Sequence, residues 1–165
     1  MTRRGAGYRV VAVLLLLVVL HFALRPYLGD PRVAPDLLLL ALLVYAIRAR
    51  PGRAAVAGFM VGLAGDALNP VAFGAGALAH ATVGYVAAWG KAVFFAENLL
   101  VNAGFFFGGS LLRDAIVLLA GRHVEGNLLL WQLGFWSPIK AVVTAATGVV
   151  VLIVFRTWLQ IRLME

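Results

Sequence analysis

Asp66 and His80 are ionisable side chains set within long apolar runs of PDLLLLALLVYAIRARPGRAAVAGFMVGLAGDALNPVAFGAGALAHATVGYVAAWGK, residues 35 to 91. An ionisable group in such sequence is costly, so it turns toward the protein interior and takes a partner. The two could carry a proton or form a buried pair. Asp66 and His80 flank a short turn, residues 69 to 75, and are expected to approach one another across it. A structural hydrogen bond or ion pair is favoured over a proton relay.

Other chemistries lack their parts. His21, His80 and His123 are scattered, with no HExxH spacing for a metal hydrolase. Ser110 stands in GGSLL, outside any G-x-S-x-G context and with no histidine set against it. Asp66 and Asp114 invite comparison with an intramembrane aspartyl protease, but residues 63 to 66 read Leu-Ala-Gly-Asp and lack the first glycine of GxGD. The chain has no cysteine, which excludes disulfides, thiolate metal sites and cysteine nucleophiles. A non-enzymatic protein without cofactor or metal is expected.

The elements that must position these residues are membrane helices. Of 165 residues, 63% are hydrophobic, and the mean hydropathy is +0.97. Soluble domains hold roughly 45–50% apolar residues. Six apolar runs, about 8 to 25, 33 to 48, 53 to 69, 74 to 90, 98 to 120 and 138 to 156, predict an all-α integral membrane protein with six transmembrane helices in one domain, residues 1 to 165. The second run is too short for a full crossing and must tilt, thin the bilayer or be shielded by its neighbours. Pro35 at its first helical position and Asp36 in its first turn suit a helix start. The N-terminal segment has the basic flank and apolar run of a signal sequence, but no small-x-small site precedes Arg25-Pro26, so it reads as a retained first span.

A net charge of +7 could suggest nucleic acid, but the basic residues lie in short clusters between apolar runs, not on one solvated face. Membrane topology explains them better. With the N-terminus inside, Arg3, Arg4, Arg9, Arg48, Arg50, Arg53, Lys91, Arg156 and Arg162 are cytoplasmic, whereas only Arg25, Arg32, Arg122 and Lys140 are outside. That bias puts both ends in the cytoplasm. The hinge Arg48 to Arg53 is also expected to meet anionic lipid.

Ala54, Gly58, Gly62 and Asp66 recur every four residues, as do Gly76, His80, Gly84 and Ala88, so each set lines one helical face. Small faces are the ordinary means of helix association in membranes. A groove built by Gly58 and Gly62, or by Gly76 and Gly84, is further expected to accept a partner helix. Asn98 and Asn102 are read as packing groups that hydrogen-bond a neighbouring helix, and Arg113 as snorkelling outward, with no same-face pairing to Asp114. Residues 121 to 137, with Trp131 and Trp136, predict a short interfacial helix before a span opened by Pro138. The C-terminal RTWLQIRLME reads as a surface anchor.

From Pro35 onward the order of features resembles the rod shape-determining protein MreD family: a Pro-Asp opening an apolar span, a basic hinge, GFMVGLAGDAL, a short turn, then FGAGALAHATVGYVAAW. Ser137-Pro138 followed by Thr144 is similar to the family's last-span pattern. The positions carried over are Pro35, Asp36, Gly58, Gly62, Asp66, Gly74 and Gly84. The resemblance implies a multi-pass subunit of the bacterial cell-elongation machinery in the inner membrane. It implies association with the single-span protein MreC, and through it with MreB, RodA and a penicillin-binding transpeptidase. The family's fold is similar to that of the substrate-binding components of energy-coupling-factor transporters. The alternative is therefore a vitamin binder with an outward pocket to which Asp36, Asp66, His80 and Lys140 contribute.

Overall fold

The computed structural model describes residues 3–24, 27–30, 32–68, 72–94, 99–121 and 126–159. The expectations placed on Asn98, His123, Asn69-Pro70 and the extreme C-terminus, residues 160–165, lie outside these. Every regular element among the described residues is helical: α1 (Arg3–Leu24), α2 (Leu37–Ala46), α3 (Pro51–Asp66), α4 (Ala75–Phe94), α5 (Leu99–Gly121), α6 (Asn127–Trp131) and α7 (Ser137–Leu159), with a π-helical turn, Gln132–Trp136, between the last two. The helices stand where the apolar runs put them. Two segments, Leu99–Gly121 and Asn127–Phe155, are long and apolar enough to cross a membrane, while Val11–Leu24 and Leu37–Ala46 are shorter apolar helices.

α2 is the centre of the molecule. Its ten residues, LLLLALLVYA, are apolar around the whole circumference. A helix of that kind has no face for water and must be enclosed. Leu37 to Val44 are each 5% exposed or less, because α1, α3, α4, α5 and α7 all pack against α2. At about 1.5 Å per residue it rises only about 15 Å, half the thickness of a hydrocarbon core. Of the three ways a short run can be accommodated, the structure uses shielding by neighbours. The outward faces of those neighbours are apolar too: Val11 and Leu15 on α1, Val56 and Met60 on α3, Trp89 on α4, and Val142 and Val150 on α7 are all exposed. Extended apolar surface of this kind marks contact with a membrane or another protein.

α3 and α4 make the most extensive helix pair. Ala54, Gly58, Gly62 and Asp66 are the buried residues of α3. A Cβ added at Gly58 would run into the His80 carbonyl, one at Gly62 into the Gly76 carbonyl, and one at Gly84 into the Ala54 carbonyl, all well under 3.0 Å. The two small-residue faces are thus filled by each other. The groove expected to accept a partner helix at Gly58 and Gly62, or at Gly76 and Gly84, is used up inside the chain, since backbone-to-backbone packing leaves no room for a third helix.

The connector before the last helix also departs from expectation. α6 does not end before the last helix; it runs through the π-helical turn directly into α7. Pro138 has no N–H, and in a regular α-helix its ring would crowd the carbonyl of Gly134. The wider π turn that ends at Trp136 relieves that crowding, so the proline is carried near the start of α7 without a break.

Glycine-to-valine changes test the α3–α4 contact. Gly58→Val and Gly62→Val should each lower stability by about 1–3 kcal/mol or more through overpacking. Gly52→Ala, at a position with nothing within 4 Å, should be nearly neutral. Denaturant unfolding of the purified protein in mild detergent reads the difference.

Candidate functional site

α2 and α4 begin at the end of the bundle where α1, α3 and α5 finish, beside the first turn of α7, so two helix starts and three helix ends meet there. The first N–H groups of each starting helix lack intrahelical acceptors, and in an apolar setting each needs one. Asp36 is the N-cap of α2: its Oδ1 accepts from the Leu39 N–H at 3.0 Å. Its own N–H donates to Thr144 Oγ1 of α7 at 3.2 Å, tying the start of α2 to the last helix. The helix therefore begins after Asp36, and Pro35 precedes the cap rather than occupying the first helical position. The carboxylate's reach back to a backbone N–H fixes that boundary.

Asp66 does the same for α4 from the end of α3. Its Oδ2 accepts from the N–H of Gly74 and of Ala77, both at 2.9 Å. Gly74 has φ +94°, a left-handed conformation that favours glycine, and nothing lies within 4 Å of its added Cβ. Backbone conformation, not space, is what requires glycine there. Gly76 is constrained differently, because a Cβ on it would meet the Asp66 carboxylate. His80 is 2% exposed, and its Nδ1 donates to the Gly76 carbonyl at 2.8 Å. Its Nε2 has no hydrogen-bond partner among the described residues. Asp66 and His80 are thus not hydrogen-bonded to each other as expected: the nearby start of α4 offers each a backbone partner, and both are engaged there.

Buried charge at Asp36 demands a counter-charge. Arg113 Nε lies 3.4 Å from Asp36 Oδ2, and Arg113 Nη1 lies 2.7 Å from Asp114 Oδ1. Lys140 Nζ, from the first turn of α7, reaches the same Asp114 oxygen at 3.1 Å. His21 Nδ1 of α1 is 3.9 Å from Asp36 Oδ1. The result is a chain of alternating charge, Asp36–Arg113–Asp114–Lys140, linking α2, α5 and α7. The expectation that Arg113 snorkels outward and cannot pair with Asp114 fails, because the guanidinium is long enough to fold back to its neighbour while also reaching across to α2. Its side chain is only 21% exposed.

A cavity of about 110 Å³ lies among these groups, lined by Asp36, Asp66, His80, Arg113 and Lys140 together with Gly62 and Gly76. Of the residues singled out in the sequence, the structure brings Pro35, Asp36, Gly62, Asp66, Gly76 and His80 to this one cavity. Gly58 and Gly84 lie along the α3–α4 contact, and Gly74 serves the turn. Missed by sequence reasoning were the bridging role of Arg113 and Asp114 and the capping role of Thr144. The signal for the first was available: a basic residue within a span requires an acidic partner, and Asp36 stood unpaired. Asn102 is fully buried but neither amide atom is hydrogen-bonded among the described residues, so the expected interhelical bond is not made.

Comparison with protein-family models, curated proteins and solved structures finds no match for this chain.

Removing one member of the charge chain leaves the others buried and unbalanced. Arg113→Met should cost about 3–5 kcal/mol. Adding Asp36→Asn to it should cost less than the sum of the two single changes. A double-mutant cycle on unfolding in detergent measures the coupling, and strict additivity would mean the pair does not interact.

Proposed function

We propose that this chain is a multi-pass scaffold subunit of the bacterial cell-elongation complex, similar to the MreD family, with six membrane crossings and both termini in the cytoplasm. It is a non-enzymatic protein of the inner membrane that binds the single-span protein MreC and, directly or through it, RodA and a penicillin-binding transpeptidase, with MreB reached indirectly. The observation that carries this reading is the role of the residues on which the resemblance rests. Pro-Asp opens the central helix, with Asp36 as its cap. Gly58 and Gly62 form the α3 side of the closest helix contact. Asp66 and Gly74 close the α3–α4 turn. Positions that fix the architecture in this way support the reading more than apolar residues alone would.

The apolar exterior and the two long apolar segments support insertion in a bilayer. α2 crosses enclosed by the bundle, and the other helices cross around it with apolar faces outward. With the α3–α4 glycine faces consumed internally, a partner helix docks on the exposed apolar flanks. The transport reading gains less: vitamin-sized ligands occupy pockets of roughly 300–1,000 Å³, and the cavity here is about 110 Å³, room for a few water molecules at about 30 Å³ each.

A mild-detergent pull-down of the tagged chain from its native membrane, with mass spectrometry of proteins and small molecules, tests the proposal. Co-purification of a single-span periplasmic protein with wall-synthesis enzymes is expected. A vitamin-like ligand with an ATPase module in their place would overturn it.

A further inference from the structure

A second pocket, of about 150 Å³, lies beside the buried charge chain and shares Arg113 and Lys140 with it. Its other polar walls are Arg32, from the α1–α2 connector, Asp114 and Gln132, the first residue of the π-helical turn. Three basic side chains and one carboxylate therefore line it. Asp114 is engaged by Arg113 and Lys140 at 2.7 and 3.1 Å. Arg113 also faces Asp36 on its far side at 3.4 Å. With Asp30 beside Arg32, three carboxylates stand near the three cations, so the pocket is distinguished by how its cations are paired and not by net charge.

Arg32 is the cation whose side chain is least committed. Its backbone N–H donates to Asp30 Oδ1 at 2.8 Å, but its guanidinium pairs with no carboxylate among the described residues. The guanidinium carbon instead lies 5.5 Å from the centroid of the Trp136 ring, within the range of a cation–π contact. That leaves its N–H fork available for an oxyanion, and planar guanidinium groups bind phosphate well through such forks. Lys140 spends one of its three donors on Asp114, and the Gln132 amide can supply another donor.

Trp136 packs edge-on against Phe135, and Phe135 against the exposed Trp131. Amphipathic rings of this kind gather at the headgroup level of a bilayer. The pocket thus combines a guanidinium not paired with a carboxylate among the described residues, further N–H donors and an aromatic flank.

We propose that this pocket binds one anionic phosphate group, with a phospholipid headgroup as the source that the flanking tryptophans favour. The inference stands independently of any protein partner.

The test uses full-length protein, delipidated in neutral detergent, titrated with dihexanoyl phosphatidylglycerol, dihexanoyl phosphatidylcholine or inorganic phosphate, and read by native mass spectrometry and thermal shift. One phosphatidylglycerol should bind per chain, more tightly than phosphatidylcholine. Arg32→Ala, which alters an exposed side chain and leaves the buried charge chain intact, should weaken that binding about fivefold. Inorganic phosphate that binds with the same dependence on Arg32 would support the site and make the phosphate itself, rather than the lipid, the ligand. Equal binding of the zwitterionic lipid, or phosphatidylglycerol binding unchanged in folded Arg32→Ala protein, would overturn the proposal.

Discussion

A helix that is apolar on every side and only ten residues long must start inside the molecule, and the carboxylate of Asp36 is what allows α2 to do so. Its orphan N–H groups would otherwise be left in surroundings that offer no water. The cap introduces a second difficulty, a buried negative charge, and the structure meets it with Arg113 from α5. Arg113 is then shared with Asp114, and Asp114 with Lys140. Each addition is required by the one before it. The chain ends where Lys140 shares a pocket with Arg32 and with Gln132 of the π-helical turn. One capping requirement in the central helix thus accounts for the charged side chains that two neighbouring helices, α5 and α7, present at this end of the bundle.

Asp66 repeats the solution at α4 without a cation. It takes two backbone N–H groups at once, and the favourable end of the α4 dipole lies against it. The glycines complete the arrangement. Gly62 and Gly76 bring α3 and α4 close enough for the Asp66 carboxylate to pass over the first turn of α4. Two acids that invite a catalytic or proton-carrying role in the sequence are therefore both occupied with starting helices. His80 remains distinct, with one nitrogen engaged and the other at a buried position among the same groups.

The helices themselves were legible, because apolar runs interrupted by arginine, proline and glycine leave little choice about where they begin and end. The α3–α4 contact was legible as well, since Ala54, Gly58, Gly62 and Asp66 lie on one face by spacing alone. What periodicity could not reveal was the partner of that face: a small-residue stripe accepts an internal helix or an external one equally well. Asp66 and His80 were rightly placed near one turn, but competition from backbone groups at the start of α4 decided their partners. Arg113 and Asp114 were misjudged because residues adjacent in sequence were assumed to point apart, an argument that holds for short side chains and fails for one as long as arginine. The continuity of α6 into α7 was hidden by Pro138, whose usual effect on a helix is offset by a π turn with no plain sequence signature.

The dependence of the central helix on Asp36 can be measured through accessibility, because the chain has no cysteine of its own. A Leu40→Cys probe, introduced with and without Asp36→Ala and challenged with a small membrane-permeant thiol reagent, reports whether α2 stays enclosed, with Val142→Cys as the exposed reference. Protection at residue 40 in the otherwise native chain, lost when Asp36 is removed, is the predicted result. Labelling at residue 40 as fast as at residue 142 in the native chain, or protection that persists without Asp36, would contradict it.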